Sequence, residues 1–93
     1  MIGGNTNTAS AIGALVIGGH NNTASGTDSA VTGGASNTAS ATDSSVSGGR
    51  SNTASGTDAS ISGGAFITQP VGDGWAAGSA TPGNAINGDF ESP

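Results

Sequence analysis

The sequence contains no cysteine and only one residue that is a lysine or an arginine, Arg50. The absence of cysteine excludes a disulfide framework. Six acids against one arginine give a net charge of -5, which argues against a surface that binds nucleic-acid phosphates. No apolar run approaches the ~18 residues of a membrane helix. The apolar cluster 11–17 is short and lacks the basic residues that open a signal peptide.

Large apolar side chains are also scarce. Hydrophobic residues make up 32% and aromatic residues 3% of the 93-residue chain, too little for an ordinary globular core. Glycine, serine, threonine, asparagine and alanine dominate, and without a pattern this composition would indicate a disordered linker. A strict internal period argues against that interpretation.

Pairs of glycines recur every 15 residues. They are Gly3/Gly4, Gly18/Gly19, Gly33/Gly34, Gly48/Gly49 and Gly63/Gly64. A repeat this short has no room for a pair of helices, so it predicts a solenoid of stacked coils. We expect an all-β fold, a parallel β-roll over residues 1–64, in which backbone groups bond to the coils above and below.

Two short strands per coil are predicted when each glycine pair is taken as positions one and two. Period-2 alternation in the segments N-T-A-S and S-x-V-x places positions seven and fourteen on the inward face. This core ladder is Ala9, Ala24, Ala39, Ala54, Val16, Val31, Val46 and Ile61. One turn falls at positions nine to eleven, and the other at the glycine pair with two variable residues.

Position five holds asparagine in four successive coils: Asn7, Asn22, Asn37 and Asn52. Coils stack at the inter-strand distance of about 4.8 Å, so identical side chains form ladders. Buried polar groups must be hydrogen-bonded, and an identical side chain in the next coil can provide the partner at each level. We therefore expect an inward or corner amide ladder in which each side chain bonds to the next.

The outward strand positions form a regular array of hydroxyls. Its members are Thr8, Thr23, Thr38, Thr53, Ser10, Ser25, Ser40 and Ser55. A flat lattice of this kind can match ordered water and bind ice. The alternative is that threonine and serine are simply soluble strand residues.

An acidic column occupies position eleven of the turns: Asp28, Asp43, Asp58 and, beyond them, Asp73. Successive carboxylates could hold calcium, because hard cations need clustered oxygens. The competing interpretation gives each aspartate an Asx turn facing water. One carboxylate per coil and no calcium-binding nonapeptide favour the second, so no metal or other cofactor is expected.

Catalytic chemistry has little support in the sequence. The single histidine, His20, lies in a variable turn position, and the hydroxyls are spread evenly without a base beside them. The glycine pairs lack the context of a phosphate-binding loop. We therefore expect a protein that is not an enzyme.

The first coil is the most apolar one. Leu15 and Ile17 occupy outward positions that hold mostly serine, threonine or alanine in later coils. Met1 and Ile2 fall in mid-repeat, which predicts a cut-out fragment or a stacking end with an open edge. We expect self-association through Ile2, Leu15, Ile17, Phe66 and Trp75, as a trimer or an end-to-end fibre.

The repeat fails after Gly64. Large residues, among them Phe66, Ile67 and Trp75, enter the repeat positions of residues 65–77, and Pro70 removes a ladder donor. This segment is predicted to be a distorted last coil or cap whose apolar residues form surface at that end. Residues 78–93 are predicted to be a linker, and 87–93 resemble the opening strand of jelly-roll carbohydrate-binding modules.

The units N-T-A-S-G-x-x-S-x-V-x-G-G of residues 3–64 resemble the head-domain repeats of trimeric autotransporter adhesins. The resemblance implies a left-handed roll, an extracellular or cell-surface location, an adhesive role toward a host or matrix ligand, and a trimer. Its trimer-facing positions are thirteen and fifteen, where Leu15 and Ile17 are apolar here. A similar half-motif occurs in plant antifreeze β-rolls, which implies the alternative of ice binding.

Overall fold

A computed structural model describes residues 3–79, and every regular element in that range is a β-strand. The strands are β1 (Thr8–Ala9), β2 (Leu15–Val16), β3 (Thr23–Ala24), β4 (Ala30–Val31), β5 (Thr38–Ala39), β6 (Ser45–Val46), β7 (Thr53–Ala54), β8 (Ser60–Ala65), β9 (Thr68–Gln69) and β10 (Trp75–Ser79). No segment of the described range could cross a membrane as a helix.

Two parallel sheets run along the molecule. The odd-strand sheet has the order β1-β3-β5-β7-β9, and the even-strand sheet has the order β10-β8-β6-β4-β2. Partners such as Thr8 and Thr23, or Val16 and Val31, are one 15-residue coil apart in the chain. The predicted parallel β-solenoid with two short strands per coil is therefore confirmed, with five coils in the described range.

The core is a thin double column between the two sheets. Every predicted inward alanine and valine or isoleucine lies inside, and all are fully buried except Ala9, which is half-buried in the first coil. Small alanines on one sheet face larger side chains on the other. The pairing of small with larger side chains lets a few apolar residues fill the space between the sheets.

Each coil uses at least three residues in the left-handed region of backbone space: the second glycine of the pair and position four in one turn, and position eleven in the other. Position four has φ near +60° in every coil, from Thr6 to Phe66, and the aspartates of position eleven do the same. Asparagine and aspartate tolerate this region better than most residues. At a left-handed residue the backbone N–H points toward the preceding coil. Asp43 N, for example, donates to Thr27 O at 2.9 Å.

The fifth coil follows the same path with different residues. Ile67 takes the asparagine position and Gln69 the alanine position, while Trp75 pairs with Ser60. The register shifts between Ala76 and Ala77, as at a β-bulge. Residues 1–2 and 80–93 lie outside the described range, and with them Ile2, most of the predicted linker and the strand predicted at 87–93.

Candidate functional site

The asparagine column lies buried beside the glycine-pair turn. Asn22, Asn37 and Asn52 are fully buried, and each side-chain Oδ1 accepts a bond from the backbone N–H of the next coil. The amide-to-amide bonding expected from the sequence is therefore wrong. Two successive N–H groups, at positions four and five, point to the preceding coil, and the side-chain oxygen accepts the second.

The other half of each amide fixes the glycine turn. Asn37 Nδ2 donates to Gly33 O and to Gly49 O, both at 3.0 Å, so one side chain binds its own coil and the next. Within the described range no buried side-chain nitrogen or oxygen is left without a partner. The column therefore stabilises the stack and leaves no polar group there for a ligand.

The outer face of the odd-strand sheet carries the predicted hydroxyl array. The threonines from Thr8 to Thr53 are paired in register, and Thr68 extends the column to five. Thr68 was missed in the sequence because its neighbours depart from the repeat. The serines lie exposed beside them, and Pro70 replaces the serine of the fifth coil. The array is regular at the one-coil spacing.

The apolar residues of the first coil lie on its surface. Ile17 is 39% exposed and Leu15 is half-buried on the outer face of the even-strand sheet. Ile12, in the turn before them, is 84% exposed and was missed by sequence reasoning. The signal was available, because the next three coils hold threonine at that position: Thr27, Thr42 and Thr57. Ile12, Leu15 and Ile17 are called the coil-one apolar residues below.

The opposite end presents apolar surface through Phe66 and Val71, and not through Ile67. Phe66 is 61% exposed with φ of 59°, and the Arg50 guanidinium carbon lies 5.4 Å from the centre of its ring. Trp75 is half-buried, and its indole N–H donates to Ser62 Oγ at 2.6 Å. The expectation that Ile67 forms surface is wrong, since it is 2% exposed and packs in the core.

The aspartates form an exposed edge at the other turn. Within the described range no three histidine, cysteine or acidic residues are grouped so that they could hold a metal ion. The pKa of the Asp58 carboxyl is raised above its ordinary value. The causes are loss of hydration in the column, the charge of Asp43 and contacts with Asp73. The charged form of Asp58 is thus disfavoured by its neighbours in the column.

Replacing Asp58 by asparagine is expected to stabilise the solenoid at neutral pH. Asparagine also tolerates the left-handed backbone and carries no charge. An acid whose pKa is raised on folding opposes folding above that pKa, and the penalty vanishes as the pH falls below the unfolded value near 3.8. Urea unfolding of both proteins should show a higher free energy of unfolding for the variant at pH 7, and this difference should shrink toward zero in acid. A gain that does not change with pH contradicts this account.

Comparison of the chain with protein-family models, with curated proteins and with solved structures finds no match in any of the three. No pocket opens on the described part of the chain. The exposed residues singled out from the sequence lie on the two outer sheet faces and in the turns.

Proposed function

We propose that this chain is a non-enzymatic, extracellular adhesive or structural β-solenoid segment that associates with copies of itself. The observation that carries the proposal is the exposure of Ile12 and Ile17, with half-buried Leu15, at positions that are mostly polar in later coils. An isoleucine that is 84% exposed at a turn has no role in the core of its own chain. Contact with a second copy removes it from water.

The size of the apolar surface sets the strength of the contact. Burying the exposed parts of Ile12 and Ile17 contributes about 3 kcal/mol per copy, before the entropy lost on association. One contact of this size holds two copies only weakly, and the total free energy of association grows with each added interface. Association is therefore concentration-dependent, and a closed trimer, as in the adhesins that the repeats resemble, gains more than a dimer.

The test replaces the coil-one apolar residues by those of the third coil. The triple variant Ile12→Thr, Leu15→Ser, Ile17→Ser keeps the core and makes the first coil match Thr42, Ser45 and Ser47. Sedimentation at rising concentration should show assemblies of the natural protein and monomers of the variant. The control Ser10→Ala, on the other sheet of the same coil, should leave assembly unchanged. A natural protein that stays monomeric at millimolar concentration overturns the proposal.

Ice binding is the second candidate, and the in-register threonine column favours it. Five threonines follow one another at a single coil spacing on the odd-strand sheet, with a serine beside four of them. Thermal hysteresis of the purified chain is the measurement. Thr38→Tyr should abolish it, because a large ring interrupts the flat face, whereas Ser47→Tyr on the other sheet should preserve it. Absence of hysteresis in the natural protein eliminates this candidate.

A further inference from the structure

Each coil offers the next one a fixed set of hydrogen bonds. From position eight, Ser25 N donates to Ala39 O at 2.9 Å, and the same bond recurs from Ser40 to Ala54. From position five, Asn37 Oδ1 accepts from Asn52 N and Asn37 Nδ2 donates to Gly49 O, both at 3.0 Å. A coil added after the last one would need the same three groups as partners: the N–H at position eight and the side-chain oxygen and nitrogen at position five.

The fifth coil lacks the donor at position eight. Ser55 N makes the last bond of this row, to Gln69 O at 3.1 Å. The next residue in the row is Pro70, which has no N–H. An added strand would therefore bring a backbone carbonyl against a proline ring.

The fifth coil also lacks the amide at position five. Ile67 N donates to Asn52 Oδ1 at 2.9 Å, so the residue completes the ladder on one side. Its own side chain is apolar and buried, and it offers an added coil neither an acceptor nor a donor. The N–H at position five of that coil would be buried without a partner.

The core is filled differently at this end. Gln69 is fully buried where the earlier coils hold alanine, and its Oε1 accepts from Val71 N at 3.1 Å. This side-chain oxygen thus bonds within its own coil. Together with the register shift at Ala76 and Ala77, it changes the surface that a further coil would pack on.

We infer that the fifth coil closes the solenoid to strand addition, so that copies of this chain associate side by side and not end to end through this coil. This inference rests on the proposed self-association and names its mode. A head-to-tail fibre needs the fifth coil of one copy to receive the first coil of the next. Pro70 and Ile67 remove three of the hydrogen bonds that would join them.

The test restores the repeat in the fifth coil. The double variant Ile67→Asn, Pro70→Ser regains all three groups, and Val71→Thr is a control in the same turn that restores none. Negative-stain imaging and light scattering of the natural protein and of the control should show compact particles without threads. The double variant should form threads, with an average mass at least tenfold higher at the same concentration.

The outcomes separate the inference from the function on which it rests. Threads of the natural protein overturn the inference, as does a folded double variant whose mass stays at the natural value. If the double variant loses its β-sheet circular dichroism, the single variant Pro70→Ser replaces it in the test. Its average particle mass is then expected to be at least threefold that of the natural protein, and an unchanged mass overturns the inference. A monomeric natural protein overturns the proposed self-association, while elongation of the variant would still support the closed fifth coil.

Discussion

Gly49→Ala is expected to lower the free energy of unfolding by roughly 3 kcal/mol or more, enough to unfold much of the stack. Gly49 has φ of 93°, a conformation that L side chains rarely adopt. A Cβ there would overlap the carbonyl oxygen of Gly64 and lie 2.6 Å from Asn52 Nδ2. Both groups belong to the repeating bond network, so neither can move without breaking it.

The neighbouring glycine supplies the control. A Cβ on Gly48 would meet no atom within 4 Å, and its φ lies outside the left-handed region. Gly48→Ala is therefore expected to change the free energy of unfolding by less than about 1 kcal/mol, and the change can be a gain. Urea unfolding of the two variants measures the contrast. Equal losses from both would contradict the stacking of glycine turns described above.

Asn37→Ala is expected to cost about 3 kcal/mol, because it leaves the N–H of Asn52 buried without an acceptor and opens a small cavity. The bond that it removes is 3.0 Å long, and the carbonyl of Gly33 loses its amide donor as well. The amide N–H of Asn52 should also lose its protection from hydrogen exchange. This local loss separates a broken ladder from general destabilisation.

Ser40→Ala is the matched control for the asparagine ladder. Ser40 lies in the same coil, three residues further on, but its side chain is exposed on the odd-strand sheet. The change should alter the free energy of unfolding by no more than about 0.5 kcal/mol. If Asn37→Ala is as mild as Ser40→Ala, the buried amide is not the element that joins the coils.

The glycine period and the alternation around it were enough to predict the coil length, the two strands and the inward columns. The reason is physical: side chains alternate across a strand, so an invariant Ala9 or Val16 column can only face the shared interior. Parallel stacking then follows, because each copy of the repeat must bond to the next. The fold could thus be predicted residue by residue up to Gly64.

The bonds of the asparagine column and the burial of Ile67 could not be predicted in the same way. The bonds depend on where a backbone N–H points after a left-handed residue, and Ser36 or Ser51 at that position gives no sign of the reversal. Ile67 lies at the same buried position as the asparagines, but the repeat fails around it after Gly64. Ile12 was not predicted as a contact residue, because an isolated apolar residue in a turn is ordinary on a protein surface. The threonines at its position in the next three coils distinguish it, and its 84% exposure in the folded coil makes it a candidate contact.

The central claim is that coils of 15 residues stack in register, and nuclear Overhauser spectroscopy of the isotope-labelled protein tests it most directly. Cross-peaks are expected between backbone protons of Thr38 and Thr53 on one sheet and of Val46 and Ile61 on the other, pairs that are one coil apart. A register in which Thr38 lies opposite a residue other than Thr53, or Val46 opposite a residue other than Ile61, would contradict the solenoid.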